Sequence, residues 1–257
     1  MSSLTRSDLS VAVTEDSLLD GRVRFLQPVD GYRAAVDPVL LAASVDASGG
    51  DRVLDLGCGA GAISLCLLAR VPELSVTGIE QAPEMRDLAE RNAALNGAMD
   101  RFLPQLGRVE ARPPLFEEGS FDFVVANPPY LETERADLPE SALKAAAHVE
   151  GDVPLAEWVE AAYRALRHKG RFAMVHRADR LADMLEPMQK RFGGLEVHPL
   201  YPKAGRAAKR VIVMARKGVR TPLSLTSGVV LHNMDGSYTS PVAAALGGEA
   251  LTFGGSL

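Results

Sequence analysis

The 257-residue sequence predicts an α/β fold: a mostly parallel sheet, doubly wound by helices, that ends in an antiparallel hairpin. Two observations support this prediction. From residue 52 onward, short apolar segments typical of buried strands alternate with segments of helical periodicity. The first apolar segment runs directly into the glycine-rich turn LGCGAG at residues 56–61, as strands of doubly wound sheets do near a nucleotide-like ligand.

Local signals place the individual elements. A buried strand is expected at residues 52–56, and Pro72 ends the helix of residues 63–70 that follows it. Pro83 in a first turn and Gly97 as a C-terminal cap delimit the second helix. Further strands are expected at residues 75–80, 121–126 and 171–176, further helices at 155–167 and 180–191, and the hairpin strands at 195–200 and 210–215.

The chain divides into three segments. Residues 1–50 are too few for a separate core and predict an N-terminal extension or lid packed on the core, with a loop that leads into a short apolar helix at residues 39–43. Residues 51–220 form the predicted central domain. Residues 221–257 form a C-terminal extension whose last residues fray.

The composition is that of an ordinary globular protein, with 47% hydrophobic and 24% charged residues and a formal net charge of -5. The first residues hold no apolar run like that of a signal peptide, and no segment has the length of a membrane span. We therefore expect a cytoplasmic protein with no membrane partner. The cysteines, Cys58 and Cys66, indicate free thiols and predict neither a disulfide nor a metal site.

The glycine turn is flanked by two carboxylates. Asp55 precedes the glycines at positions 57, 59 and 61. Glu80 ends the second strand, where an acid can accept hydrogen bonds from both hydroxyls of a ribose. These features fit a nicotinamide dinucleotide and S-adenosylmethionine about equally well, so the turn alone leaves a dehydrogenase and a methyltransferase open.

A polar amide, two prolines and an aromatic ring follow the strand of residues 121–126. The exocyclic amine of adenine is a poor nucleophile, and acceptors aimed at both of its N–H groups would draw its lone pair out of the ring plane. The Asn127 side-chain oxygen and the Pro128 carbonyl can be these acceptors, while Pro129 adds rigidity and no competing N–H. Tyr130 can stack on a base flipped into the pocket. Hydride transfer has no use for this arrangement, so methyl transfer to a planar amine is favoured.

One stretch is strongly basic. Residues 203–220 contain seven Lys and Arg residues and no Asp or Glu. Taken alone, such a run indicates a solvated hairpin. In an enzyme that acts on nucleic acid, it predicts an edge that binds phosphates.

The turn at residues 55–61 together with the NPPY motif at 127–130 resembles the methyltransferases that act on amino groups: adenine N6, cytosine N4 or the glutamine amide. Within that group the chain is most similar to the bacterial tRNA (adenine-N6)-methyltransferases that modify an anticodon-loop adenine of valine tRNA. The segments 25–27, 31–43, 209–213 and 229–238 add to this resemblance. It implies a Rossmann-like class I methyltransferase fold with a seven-stranded sheet, S-adenosylmethionine as cofactor and RNA, above all tRNA, as partner.

The resemblance also implies roles for individual residues. The catalytic set is Asn127, Pro128, Pro129 and Tyr130. The cofactor set is Asp55, Gly57, Cys58, Gly59, Gly61, Glu80, Gln81, Arg108 and Asn127. The basic stretch, and not the resemblance, supplies the RNA set of Lys203, Arg206, Lys209 and Arg210, and no metal is expected. Arg108 stands where many relatives place an Asp against the cofactor's adenine, so either Glu110 substitutes for it or backbone and apolar contacts hold the adenine.

Three other functions fit parts of this sequence less well. Glutamine methyltransferases of release factors share the core motifs, but they carry a helical domain ahead of the core. The fifty residues before the first central strand leave no room for such a domain. A DNA methyltransferase would need a large target-recognition region. A noncatalytic RNA-binding module would be expected to have lost Asn127 or the glycines, and both are present. The sequence therefore favours methylation of adenine N6 in RNA, and it leaves a monomer and a homodimer both open.

Overall fold

The computed structural model describes residues 12–29, 36–130 and 153–254. Three expectations fall outside these ranges. They are the start of the chain without a signal peptide, the loop at residues 31–35 and the fraying of residues 255–257.

The first described elements are a small hairpin and a helix. Strands β1 (Val13–Leu18) and β2 (Val23–Pro28) pair antiparallel as a two-stranded sheet. Helix α1 (Val36–Ser44) follows, and its residues from Pro38 to Ala43 are all buried. The short apolar helix expected at residues 39–43 is thus the centre of a slightly longer one.

The central elements alternate as the sequence predicts. In chain order they are β3 (Arg52–Leu56), α2 (Ala62–Arg70), β4 (Ser75–Glu80), α3 (Pro83–Leu95), β5 (Phe102–Leu106), β6 (Phe121–Ala126), α4 (Leu155–Ala165), β7 (Leu166–Arg177), α5 (Leu181–Arg191), β8 (Phe192–Lys203), β9 (Arg210–Lys217), β10 (Ser224–Leu225), β11 (Val229–His232) and α6 (Ser240–Leu246).

The large sheet has the strand order β5-β4-β3-β6-β7-β9-β8, and β10 and β11 both lie beside β8. All of its pairings are parallel except those of β9, which runs antiparallel to both β7 and β8. The predicted fold class is confirmed. The seven strands from β5 to β8 in this order have the arrangement of a class I methyltransferase fold. The two short strands β10 and β11 were not predicted and widen the sheet to nine strands.

Among the element boundaries that differ from the prediction, the largest shift is at the start of β7, which begins at Leu166 and not at residue 171. The helix expected at residues 155–167 ends at Ala165, because Leu166 already pairs with Phe121 of β6. Lys169 then adopts a positive φ of 65°, and the pairing resumes between Phe123 and Arg171. The chain therefore turns within β7, which amphipathic spacing alone does not reveal.

The N-terminal hairpin is fixed to the central elements by a buried amide. The Asn92 side chain on α3 accepts a hydrogen bond from the Leu26 N–H at 2.7 Å and donates to the Leu26 carbonyl at 2.8 Å. The same amide donates to the Ala60 carbonyl in the glycine turn at 2.9 Å. Asn92 has no exposed surface, so one satisfied polar side chain joins β2, α3 and the turn.

Two hydrophobic clusters cover the two faces of the large sheet. The first packs α1, α2, α3 and α6 with the N-terminal hairpin, and the second packs α4 and α5 around Trp158. The longest helix within the described ranges is α3 with 13 residues. None of the helices described there has both the length and the apolar character that a bilayer crossing requires.

Candidate active site

The glycine turn and the NPPY motif meet at one edge of the sheet. Strands β3 and β6 are neighbours, and Leu56, the last residue of β3, pairs with Ala126, the last residue of β6. The next residues along each strand are Gly57 and Asn127. The turn and the amide predicted from separate motifs therefore lie side by side at the carboxyl edge of a parallel sheet, where ligands of such folds bind.

The three glycines of the turn share a left-handed backbone conformation but differ in how close their neighbours lie. Gly57, Gly59 and Gly61 have φ values of 66°, 54° and 90°, which L side chains rarely adopt. A Cβ atom on Gly57 would lie 2.6 Å from the Trp158 ring, and one on Gly61 would lie 2.6 Å from the Phe102 ring. At Gly59 the nearest atom would be the end of the Met85 side chain at 3.8 Å, an ordinary van der Waals contact, so a Cβ atom there meets no clash.

Asp55 lies beneath the turn with none of its surface exposed. The Ser64 hydroxyl donates a hydrogen bond to Asp55 Oδ2 at 2.7 Å, while Oδ1 has no partner among the described residues. Burial raises the pKa of Asp55 to about 7, and the nearby charge of Glu80 adds to the rise, while hydrogen bonds from Ser64 oppose it. The structure therefore places a carboxyl group with an unused oxygen under the predicted cofactor site.

Glu80 connects the turn to the start of α3. Its Oε2 accepts a hydrogen bond from the Gly59 N–H at 2.9 Å, and its Oε1 accepts one from the Ala82 N–H at 2.8 Å. Each carboxylate oxygen keeps a further lone pair, so the group can still accept from a ribose hydroxyl. Gln81, next to it, is exposed.

Cys58 lies inside the fold. Its side chain is buried, and burial together with the charges of Asp55 and Glu80 raises its thiol pKa well above the ordinary value. A Cβ atom on Gly78 would lie 2.6 Å from Cys58 Sγ, so this strand glycine makes room for the thiol. Both Cys58 and Cys66 are free thiols, as predicted.

Arg108 is exposed and forms an ion pair with Glu110. The second carboxylate oxygen of Glu110, Oε2, is buried and has no hydrogen-bond partner among the described residues. Of the two, Glu110 is the less exposed, with a side-chain exposure of 28% against 49% for Arg108. The arrangement favours Glu110 over Arg108 as the polar group nearest to the interior of the site.

Tyr130 and Asn127 form the centre of a polar cluster. The Tyr130 hydroxyl lies 2.7 Å from Asn127 Oδ1 and 2.9 Å from Asp37 Oδ2. The Arg210 Nε–H donates to the same Asp37 oxygen at 2.9 Å, and the His176 ring packs edge-on against the Tyr130 ring at 5.0 Å. Pro128 is buried and Pro129 is exposed. Sequence reasoning missed both Asp37 and His176.

Arg210 is not exposed at a phosphate-binding edge, contrary to what its place in the basic stretch predicts. Its guanidinium is half-buried, pairs with Asp37 and lies 4.7 Å from the centre of the Tyr130 ring. It belongs to the polar cluster around Asn127 and is a poor candidate for a phosphate contact. The reason is tertiary: β9 begins beside the end of β7, where Arg210 pairs in register with Arg177, at the carboxyl edge.

The rest of the basic stretch is divided between opposite edges of the sheet. Lys203, Arg206 and Lys209 lie in or beside the loop between β8 and β9, at the same edge as Asn127, and the last two are exposed. Lys203 donates to the Met234 carbonyl at 3.1 Å. Arg216 lies at the other end of β9, in register with Arg171 near the start of the parallel strands.

A cavity of about 650 Å³ opens beside the prolines of the NPPY motif. Its lining includes Pro128, Pro129, Trp158, His176 and Arg180. His176 is almost fully buried, and burial, reinforced by nearby arginines, lowers its pKa to about 4. At neutral pH the cavity therefore presents a neutral imidazole next to Tyr130. Within the described ranges, no group of three or more His, Cys, Asp or Glu side chains is arranged to hold a metal ion.

This chain is similar to several methyltransferases. The family model described as "Methyltransferase small domain" matches residues 35–200. A tRNA1(Val) (adenine(37)-N6)-methyltransferase from Porphyromonas gingivalis is 34% identical over 158 residues, which cover 59% of this chain and 61% of that protein. A release factor glutamine methyltransferase from Deinococcus radiodurans is 43% identical over 82 residues, or 32% of this chain and 27% of that protein.

Among solved structures, a predicted O-methyltransferase from Agrobacterium tumefaciens has a TM-score of 0.72 and 26% identity, covering 84% of this chain and 98% of that one. The matches to the tRNA-modifying and release-factor enzymes are shorter. The chain spans less than two thirds of the length of either relative, with 61% and 27% covered.

Proposed function

Because the chain belongs to the methyltransferase small domain family, we propose that it methylates N6 of an adenine in RNA with S-adenosylmethionine as the methyl donor. We further propose that the RNA is a tRNA and that the target adenine lies in its anticodon loop. The tRNA relative from Porphyromonas gingivalis supports this substrate, since its match is the longer of the two.

The observation that carries the proposal is the position of Asn127 beside the glycine turn. An exocyclic amine held by Asn127 Oδ1 and the Pro128 carbonyl lies next to the turn that is assigned to the cofactor. Accepting both N–H hydrogen bonds localises the amine lone pair as the nitrogen becomes tetrahedral, which favours the transition state over the ground state. The prolines keep this part of the backbone rigid and add no competing donor.

The residues under the turn fit S-adenosylmethionine. Asp55 keeps one carboxyl oxygen without a partner among the described residues, and a Cβ atom at Gly59 would meet only the end of Met85, at 3.8 Å. Glu80 holds the turn through Gly59 and retains lone pairs for ribose hydroxyls. When bound, S-adenosylmethionine supplies an electrophilic methyl group. We assign its methionine side to the turn, its ribose to Glu80 and the polar contact to its adenine to Glu110.

The RNA assignment is supported by charge at the same edge. Lys203, Arg206 and Lys209 lie on the side of the sheet that carries Asn127, where they can neutralise phosphates around a flipped base. The cavity beside Pro128 has a mixed lining, in which Trp158 and the prolines offer apolar surface and Arg180 and Lys190 offer positive charge, and both can serve a base that has left its stack and its phosphates. We therefore assign the loop between β8 and β9 to the RNA backbone.

A protein substrate is the second candidate. The release factor relative has the higher identity, 43% against 34%, although its match covers only 82 residues. Asn127 and Pro128 could accept from the amide of a glutamine side chain in the same way as from adenine. The surface outside the shared core separates the two candidates, because a basic edge serves an RNA backbone and has no equivalent role for a neutral side chain.

A labelling experiment tests the proposal. The purified protein is incubated with S-adenosylmethionine carrying a labelled methyl group and, separately, with tRNA, rRNA, DNA and release factors. We expect label in tRNA that migrates as N6-methyladenosine after digestion to nucleosides. Label found in a glutamine residue of a release factor, with none in tRNA, would overturn the RNA assignment in favour of the protein substrate.

A further inference from the structure

The Tyr130 hydroxyl lies between two acceptors. It is 2.7 Å from Asn127 Oδ1 and 2.9 Å from Asp37 Oδ2, both within hydrogen-bond distance. A phenol carries a single proton, so the hydroxyl can donate to only one of the two oxygens at a time. The two acceptors therefore compete for one hydrogen bond.

One of these acceptors is the oxygen on which the proposed function depends. Asn127 Oδ1 is assigned to an N–H of the target amine, and in the structure the Tyr130 hydroxyl occupies that oxygen. Asn127 Oδ1 has two lone pairs, so an entering amine shares this oxygen with the hydroxyl, and each of two hydrogen bonds to one oxygen is weaker than a single one. The reaction is helped if the hydroxyl has another acceptor within reach when the amine arrives.

Asp37 provides that acceptor and is itself held firmly. Its side chain is only 15% exposed, and its Oδ2 accepts a hydrogen bond from Arg210 Nε at 2.9 Å. The Arg210 guanidinium also lies 4.7 Å from the centre of the Tyr130 ring, while His176 packs edge-on against that ring. The Tyr130 ring is thus fixed by its neighbours. Its hydroxyl hydrogen can turn from one acceptor to the other by rotation about the Cζ–Oη bond alone.

We propose that Asp37 is a positioning residue that receives the Tyr130 hydrogen bond when substrate enters, so that Asn127 Oδ1 is left to the target amine. Arg210 positions Asp37 for this role. The inference rests on the proposed function, because it takes Asn127 as the acceptor for the amine. It concerns one residue from α1 and one from β9 to which the sequence motifs assign no role in catalysis.

A purely structural role makes a different prediction. If the pair formed by Asp37 and Arg210 only ties α1 to β9, the loss of Asp37 weakens folding and has the same effect whether or not residue 130 carries a hydroxyl. If Asp37 acts through Tyr130, its effect on activity requires that hydroxyl. The two readings therefore differ in the outcome of a double-mutant cycle.

The test compares Asp37→Asn, Tyr130→Phe and the double variant for methyl transfer to tRNA. An amide is a weaker acceptor than a carboxylate, so in Asp37→Asn the hydroxyl stays on Asn127, and we expect kcat/KM to fall by about tenfold. The affinity for S-adenosylmethionine should not change. Removing the hydroxyl as well frees Asn127, so the double variant should be several-fold more active than Asp37→Asn alone.

The matched control is Asp46→Asn. Asp46 also pairs with an arginine, Arg171 at 3.2 Å, but its side chain is 86% exposed and its partner lies at the opposite edge of the sheet. This variant should keep the wild-type kcat/KM. Wild-type kcat/KM in Asp37→Asn, or an equal loss from Asp37→Asn with and without the Tyr130 hydroxyl, would overturn the proposal.

A second measurement does not depend on the substrate. In urea unfolding of the same four proteins, Asp37→Asn should raise the unfolding constant about fivefold more in the wild-type background than in the Tyr130→Phe background. Equal changes would refute the contact itself. If the wild type methylates no RNA, the proposed function fails and with it the amine role of Asn127, while the unfolding data still decide whether Asp37 holds Tyr130.

Discussion

Replacing Gly57 or Gly59 by alanine should have very different consequences, although the two residues are separated by one position and have similar backbone angles. Their φ values are 66° and 54°, both in the left-handed region. An alanine there costs about 1–2 kcal/mol through contact of its Cβ with the following carbonyl oxygen. If backbone strain were the whole effect, the two variants would lose about the same stability.

The two positions are packed differently, so their losses of stability should differ. A Cβ atom at position 57 would lie 2.6 Å and 2.9 Å from two carbons of the Trp158 ring, which is buried against the turn. Overpacking of this kind costs typically about 1–3 kcal/mol. A Cβ atom at position 59 would meet only the end of Met85, at 3.8 Å. We therefore expect Gly57→Ala to lower the free energy of unfolding by about 2–5 kcal/mol, and Gly59→Ala by about 1–2 kcal/mol.

Urea unfolding followed by circular dichroism measures both values directly, with the slope of the transition as a check that the unfolded states are comparable. Calorimetric titration with S-adenosylmethionine should be run on Gly59→Ala, whose added methyl group meets only the end of Met85. A loss at Gly59 equal to or larger than that at Gly57 would refute the assignment of Gly57 to packing against Trp158.

Three further predictions concern the site. Asn127→Ala should abolish methyl transfer while the calorimetric affinity for S-adenosylmethionine stays within about twofold, because the amide acts on the amine in the transition state. Reversing Arg206 and Lys209 to Glu should weaken tRNA binding and reduce the log–log salt slope by about two, as measured by filter binding. Asp55→Asn should remove a pH dependence of stability. The folded-state pKa of Asp55 is raised to about 7, above its ordinary value near 3.8, so the folded state binds this proton more tightly than the unfolded state. The free energy of unfolding of the wild type should therefore fall between about pH 4 and pH 7. In urea unfolding at pH 8, the variant should be more stable than the wild type by about 4 kcal/mol.

Each of these predictions has a contrary outcome. Wild-type turnover by Asn127→Ala would remove the amide from the mechanism. The matched control for the RNA variant is the reversal of Arg216 and Arg220, which changes the same charge; Arg216 lies at the other edge of the sheet. Equal salt slopes in the two double variants would mean that net charge, and not the loop between β8 and β9, governs binding. An unchanged pH slope in Asp55→Asn would place that titration elsewhere.

The central strands were predictable because their signal is local. Strands β3, β4 and β6 begin and end at the predicted residues. β3 and β6 are short, mostly apolar runs that are buried along most of their length, while β4 is a β-branched segment between a proline and the acid that ends it. The edge strand β5 was missed. Its sequence FLPQL contains a proline, and Leu103 and Leu106 are exposed, so it has neither the alternation nor the burial by which strands are recognised.

The site was predictable only where a motif encodes it. The glycine turn and the NPPY segment are contiguous, and their meeting follows from the pairing of parallel strands. Asp37 is separated from Tyr130 by 93 positions, and in the sequence it resembles an ordinary acid in the first turn of a helix. Arg210 reads as one member of a basic run. Only the tertiary fold brings Asp37 and Arg210 together beside Tyr130. No local signal in the sequence distinguishes either residue from ordinary surface charges.

The position of β9 has a consequence for how the protein is made. Because β9 lies between β7 and β8, strand β8 has no place in the sheet until residues 210–217 have been synthesised. The strands from β3 to β7 can pair as they leave the ribosome, whereas β8 must wait for the segment that follows it. The same late segment delivers Arg210 to Tyr130. A nascent chain that ends at residue 200, where the family match ends, thus lacks strand β9 and the Arg210 member of the polar cluster around Asn127.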